Sequence, residues 1–263
     1  MKTVSPSTAR GRPRKAEDGE EARRGVNALD HALVLLKALS EFRGPATLSE
    51  IARASGMPPT KAHRYLASFI AADLVSQPVR SGQYDLGPAA LQLGFAAISR
   101  IDIVNSVAGR LATLTEATDC TALLSVWSTL GPVIVRWERA ASYIVTNLGL
   151  GTVFPLLSSA TGQVFLAHLP DRLTARLLSE EAADADPAEI TAMKRRTRAQ
   201  GWATVDGSLI PGLRAASAPV LNGQGEIDCA VTLISARAGA IDATGPALPA
   251  LRSFVRQFSA PTG

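Results

Sequence analysis

The chain is 263 residues long and 46% hydrophobic, enough for two domains with a core each. It holds no apolar run of about 18 residues, which excludes a helical membrane span, and its first residues lack the apolar stretch of a secretory signal, so a cytoplasmic protein is expected. The net charge of +4 is unevenly placed: residues 1–95 carry 13 Lys/Arg against 9 Asp/Glu, whereas residues 96–263 carry 14 of each, so a polyanionic partner is expected at the N-terminal end alone.

Residues 1–25 mix Ser, Pro, Gly and charge without apolar periodicity, the signature of a disordered basic tail. Within them Arg10-Gly11-Arg12-Pro13-Arg14-Lys15 has the pattern of an AT-hook, whose Arg10 and Arg12 would lie in a narrow A·T-rich minor groove. A generic basic tail that adds only phosphate affinity fits the same residues, and Glu17, Asp18, Glu20 and Glu21 follow directly.

A winged helix-turn-helix domain is expected over residues 26–87. Leu29, Leu33, Leu36 and Leu39, with Ala32 and Leu35, form a helical stripe that would cover the recognition helix from behind. Thr47-Leu48-Ser49-Glu50 is a capping box, so a helix starts at Leu48 with Leu48, Ile51 and Ala52 on one face. Ser55-Gly56 supplies the turn, because Gly tolerates the left-handed backbone needed there. Pro58-Pro59 suits the entry to the next helix. At about 100° per residue, Ala62, Tyr65, Leu66, Phe69 and Ile70 share one arc. Thr60, Lys61, Arg64 and Ser68 share the other, with His63 at its edge; these short hydroxyls and cations suit a major groove. Double-stranded DNA is therefore the expected partner. Residues 74–77 and 83–86 then form a hairpin around 78–82, a wing with Arg80 near its tip.

Residues 88–105 form an expected linker helix, centred on the apolar stretch 89–100. Residues 106–260 mix element types. Helices are expected over 108–118, 159–169 and 246–259, and another opens at the cap Asp186-Pro187 and closes at Gly201. Strands are expected over 121–127, 133–138, 143–148, 202–205, 214–221 and 226–235. Ser128-Thr129-Leu130-Gly131-Pro132 and Asn222-Gly223-Gln224-Gly225 are turn signals between neighbouring strands. The fold class is thus α+β, with an antiparallel sheet carrying helices.

An enzyme is not expected. The chain has no Gly-x-Ser-x-Gly, no phosphate-binding Gly loop and no His-Glu-x-x-His. Asp206 and Cys229 lack a partner base visible in sequence. Cys120 and Cys229 have no metal-ligand spacing, and His31, His63 and His168 do not cluster, so reduced core thiols, no metal and no cofactor are expected. An architectural DNA-binding protein without ligand control is the alternative. A large, electrically neutral second domain argues against it.

Three motif groups in fixed order carry a family resemblance. The first is Leu48-Ser49-Glu50-Ile51-Ala52 through Ala62-His63-Arg64-Tyr65-Leu66. The second is Tyr84-Asp85-Leu86-Gly87 followed by Leu91-Gln92-Leu93-Gly94. The third is Pro155-Leu156 with residues 159–167, Gly201-Trp202-Ala203 and residues 211–220. Together they resemble the IclR family of bacterial transcriptional regulators, over about residues 26–259. The resemblance implies a GAF-like effector domain, a homodimer or dimer of dimers, and control of transcription by a small molecule. It also implies a pocket at Leu156, Ala160, Thr161, Gly162, Asp206, Ala215, Thr232, Ile234 and Ser235. A helix opening near Ser159 and the hydroxyls of Thr161, Thr232 and Ser235 would suit a carboxylate. The sequence departs from the family where Gln163 replaces a frequent Lys, where Thr232-Leu233-Ile234-Ser235 replaces Ser-x-Ser-Gly, and where Pro59-Thr60-Lys61 replaces Lys-Ser-Thr. Ile234 and Ala215 make the pocket less polar, so a larger, partly apolar carboxylate such as an aromatic acid is expected. In the implied mechanism the linker helix carries the effector's signal to two winged helices set in successive half-sites.

Overall fold

The computed structural model describes residues 27–78, 81–142, 144, 146–181, 185–242 and 245–259. The chain divides into two compact units, up to Ala96 and from Ala97 onward.

In the first unit, α1 (Asn27–Ser40), α2 (Leu48–Ala54) and α3 (Pro59–Ala71) precede a two-stranded hairpin of β1 (Val75–Ser76) and β2 (Asp85–Leu86). The capping box forms in full: Thr47 Oγ1 accepts the Glu50 amide at 3.4 Å, and a Glu50 carboxylate oxygen accepts the Thr47 amide at 2.8 Å. The Thr47 hydroxyl, donating to the same carboxylate, holds Glu50 below the usual carboxylate range. Gly56 turns the chain at φ 65°. Leu35, Ile51, Ala62 and Leu66 are fully buried together, with Leu39, Phe69 and Tyr84 around them. Each buried Leu or Ile among them contributes about 1.5–3 kcal/mol of burial. The expected stripe on α1 splits. Leu35, Leu39 and Ala32 are buried, but Leu29 and Leu33 stay 55% and 43% exposed, because the bundle covers only one side of α1. The wing is also tied to the loop ahead of α2, where Ala46 and Tyr84 exchange amide–carbonyl bonds of 2.9 and 2.8 Å. Gly87 lets the chain leave the wing: a Cβ there would lie 2.2 Å from the Asp73 carbonyl oxygen.

The expected linker over 88–105 is two helices, α4 (Pro88–Ile98) and α5 (Asp102–Ala108), and the amphipathic helix that follows begins only at Leu111 as α6 (Leu111–Thr118). The second unit is built on a five-stranded antiparallel sheet in the order β4-β3-β7-β6-β5. Its strands are β3 (Thr121–Ser128), β4 (Gly131–Glu138), β5 (Ala203–Asp206), β6 (Arg214–Leu221) and β7 (Ile227–Ser235). Strand alternation sorts side chains to two faces. Ala122, Leu124, Ala216, Ala218, Cys229, Val231 and Leu233 pack under α5, α6 and α10 (Ala247–Arg256). Leu123, Ser217, Thr232 and Ile234 face the other way, toward α7 (Ala160–His168) and the segments before β6. Behind α7 lie α8 (Asp171–Glu181), a helix not expected from the sequence, and α9 (Pro187–Gln200), capped by Asp186 and ended by Gly201 at φ 73°. Both cysteines are buried free thiols, and burial pushes Cys229 up to about 12.

The strand expected over 143–148 does not form among its described residues. The segment after it takes the outer edge of β4 instead: Ile134 donates to the Thr152 carbonyl at 3.0 Å and accepts from the Gly151 amide at 2.9 Å.

Candidate DNA-reading face and effector cavity

On α3, Thr60, His63, Arg64 and Ser68 are exposed on the side away from Ala62 and Leu66. Lys61 is half-buried, its ammonium 5.9 Å from the centre of the Tyr65 ring. Ser68 turns its hydroxyl back to the Arg64 carbonyl at 3.3 Å, which spends its donor within the helix. Arg10, Arg12 and Arg80 lie outside the described residues. Residues 1–26 hold 7 Lys/Arg against 4 Asp/Glu, so three of the four surplus charges precede α1, and the helical bundle itself is nearly neutral.

In the second unit a cavity of about 20 Å³ sits between the sheet and α7. Of the expected pocket residues it brings together Ala160, Thr161, Ala215, Thr232 and Ile234. Ser159 caps α7, accepting the Gly162 amide at 2.9 Å and donating to the Pro155 carbonyl at 2.6 Å. The first turn of α7, with Ala160 and Thr161, therefore presents the positive end of a helix to the cavity. Thr161 and Thr232 share a hydrogen bond of 2.7 Å, and Thr232 donates onward to Ser217 at 2.9 Å. This hydroxyl chain is fully buried. The remaining wall is Ser159, Val205 and an apolar set of Leu148, Phe154, Leu209, Ile210 and Leu213. Among the described residues no charged side chain lines it.

Four expected residues stand outside this wall. Ser235 is odd-numbered on β7, so alternation sends it to the opposite face from Thr232 and Ile234, where it accepts the Arg237 amide at 3.1 Å. The Asp206 carboxylate is turned outward to Arg214 at 3.0 Å, and Arg214 also reaches Asp242 at 3.2 Å, clipping the base of loop 207–213. Leu156 is buried against α7, and its amide and that of Leu157 donate to Glu181 at 2.5 and 2.9 Å. Gly162 is the contact point: a Cβ there would meet the Pro155 oxygen at 2.0 Å. Of the wall residues outside the expected set, Ser159 left its signal as the cap of α7 and Val205 through its register opposite Ala215. Leu209, Ile210 and Leu213 come from a loop without periodicity.

Residues 28–78 match the family model of the IclR helix-turn-helix domain, and residues 95–260 match that of the bacterial transcriptional regulator IclR C-terminal region. The chain belongs to the IclR family. The HTH-type transcriptional regulator BhcR of Paracoccus denitrificans is 29% identical over 85% of this chain and 83% of its own length. The crystal structure of HmgR from Pseudomonas aeruginosa is 37% identical, covers 89% of this chain and 97% of that one, and superposes with a TM-score of 0.57. An IclR homologue from Microbacterium hydrocarbonoxydans, solved in complex with 4-hydroxybenzoate, shares the fold at a TM-score of 0.70 and 16% identity, over 89% of this chain and 98% of its own. Like those IclR-family members, the chain joins a helix-turn-helix domain to an α+β domain. Among the described residues no helix is long and apolar enough to cross a membrane, and no cluster of metal-ligating side chains forms.

Proposed function

We propose that this IclR-family protein is a sequence-specific DNA-binding regulator whose affinity for its operator is set by a small aromatic carboxylate. The observation that carries the ligand class is the cavity wall. It combines one polar end, the Thr161–Thr232–Ser217 hydroxyls beneath the first turn of α7, with an otherwise apolar surface. A carboxylate at that end would take its hydrogen bonds from the helix N-terminus, and from the Thr161 hydroxyl once that proton turns away from Thr232, without a cation. A ring would lie against Phe154, Leu209, Ile210 and Ile234. A volume of about 20 Å³ holds one water-sized body, so a ring enters only as the wall opens. Loop 207–213, held at its base by Arg214 and by the Gly207 amide on the Leu213 carbonyl at 3.1 Å, is a part of the wall outside the strands and helices.

DNA is read by Thr60, Lys61, His63 and Arg64 of α3, with Arg80 and the Arg10–Arg12 tail on backbone or minor groove. Two copies act together. Leu91, Leu93 and Phe95 on α4 are 62%, 63% and 55% exposed, a surface that association of two chains would cover. The test is Lys61→Ala and Arg64→Ala against operator and random DNA. Loss of discrimination supports base reading; a uniform loss on both DNAs reduces the role of these residues to phosphate contact.

A further inference from the structure

Among the described residues three buried side-chain atoms of the second unit have no partner, Thr115 Oγ1, Ser125 Oγ and Trp137 Nε1; the two hydroxyls can rotate, whereas the indole is a donor only and is fixed in direction by its ring. The indole Nε1–H of Trp137 is sealed from solvent and makes no hydrogen bond. Buried N–H groups are paired in nearly all folded proteins, so an orphan of this kind points to a partner that arrives later.

Its place in the sheet says what that partner would be. Register sets Ser217 opposite Thr232, Thr232 opposite Leu123, and Leu123 opposite Trp137, so these four residues form one row across β6, β7, β3 and β4. All four face α7's side of the sheet. The row is polar at one end, where the cavity hydroxyls sit, apolar at Leu123, and polar again at Trp137. With strands about 4.8 Å apart, Thr232 and Trp137 stand about 10 Å apart along the row. Trp137 packs in the same apolar cluster as Phe154, Leu213 and Ile234, which also line the cavity. A cavity that widens along this row therefore widens toward the indole. Arg139, with its guanidinium 5.9 Å from the ring centre, stacks over the indole and helps hold its orientation.

We infer that Trp137 is a specificity-determining residue of the effector site, donating its Nε1–H to an acceptor on the far side of the ligand's ring from the carboxylate. The inference rests on the aromatic-acid reading of the cavity and narrows it, to acids that carry a second oxygen opposite the carboxyl group. Binding such an acid satisfies the orphan donor, whereas an unsubstituted acid leaves it unmet, and the difference is selectivity.

The experiment measures binding of 4-hydroxybenzoate and benzoate to the full-length protein and to Trp137→Phe by titration calorimetry. The expected result is an affinity loss of about tenfold for 4-hydroxybenzoate and little change for benzoate. A second measurement uses the unaltered protein with ¹⁵N-labelled indoles: the Trp137 Nε1–H signal moves downfield on adding 4-hydroxybenzoate and stays in place with benzoate. Equal losses for both acids, or an unmoved indole signal in a protein that binds 4-hydroxybenzoate, overturns the role of Trp137. If the unaltered protein binds neither acid, the aromatic-acid reading itself fails, and the inference falls with it before any substitution is made.

Discussion

Gly162→Ala should collapse the proposed effector cavity from a position outside its wall. Gly162 is the point where α7 meets the segment before it. A Cβ would lie 2.0 Å from the Pro155 oxygen, 2.6 Å from Leu156 Cα and 2.7 Å from the Leu156 oxygen. All three neighbours are backbone, so no side chain can swing aside. They are also fixed: the Ser159 hydroxyl holds the Pro155 carbonyl, and Glu181 holds the Leu156 and Leu157 amides. The methyl must push α7 off this segment, which at about 3 kcal/mol or more sits at the upper end of overpacking costs. For a domain of this size that lowers the melting temperature by about 6–12 °C. It also displaces Ala160 and Thr161, so ligand binding should vanish. Gly149→Ala is the control. A Cβ there meets nothing within 4 Å, so the change should be neutral or stabilise by up to about 1 kcal/mol through the unfolded chain. Thermal unfolding of the two variants beside the parent protein decides the matter. A Gly162→Ala protein that melts within about 2 °C of the parent would show that α7 does not approach residues 155–156 this closely.

Two further outcomes follow from the same structure. His168 donates from Nδ1 to the Val164 carbonyl at 2.9 Å as a neutral ring, and burial pushes its pKa down. A depressed histidine contributes stability that is present above its unfolded pKa and is lost as pH falls through its folded one. The urea midpoint should therefore decline as pH is lowered below about 6.5, and His168→Gln should flatten that decline; an unchanged slope would show that the ring protonates freely in the fold. Thr47→Ala removes the cap of α2 and should destabilise the N-terminal unit by about 1 kcal/mol, measured by urea unfolding of that unit, with no effect on ligand binding by the other.

What was legible in the sequence was whatever depends on a few neighbouring residues. The capping box at Thr47, the turn at Gly56, the Asp186 cap and the Asn222–Gly225 hairpin each appear in place, because their hydrogen bonds close within a few residues. The antiparallel sheet with helices followed from turns between neighbouring strands. Failures came where distant segments compete. Residues 143–148 have β-forming side chains, yet residues 151–153 pair with β4, and Ile144 and Leu148 serve as packing instead. The α8 helix carries Leu173, Leu177 and Leu178 at helical spacing, a stripe that could have been read, but only Thr174 is fully buried and the stripe is two turns long between charged residues. In the pocket, Thr161, Ala215 and Thr232 came from resemblance. Ser235 could have been rejected from strand parity alone, since Thr232 and Ile234 already fix which face looks inward. Phe154 and Leu213 reach the wall only through loop paths that no period announces.

The joint claim of DNA reading and ligand control is tested most directly by one titration. Full-length protein is bound to a fragment of its own gene's upstream region and to a scrambled fragment, with and without 4-hydroxybenzoate, at fixed salt. The account predicts specific binding to the upstream fragment that shifts on adding the acid, while the weak binding to scrambled DNA does not. Equal, salt-sensitive binding to both fragments, indifferent to the acid, would contradict it.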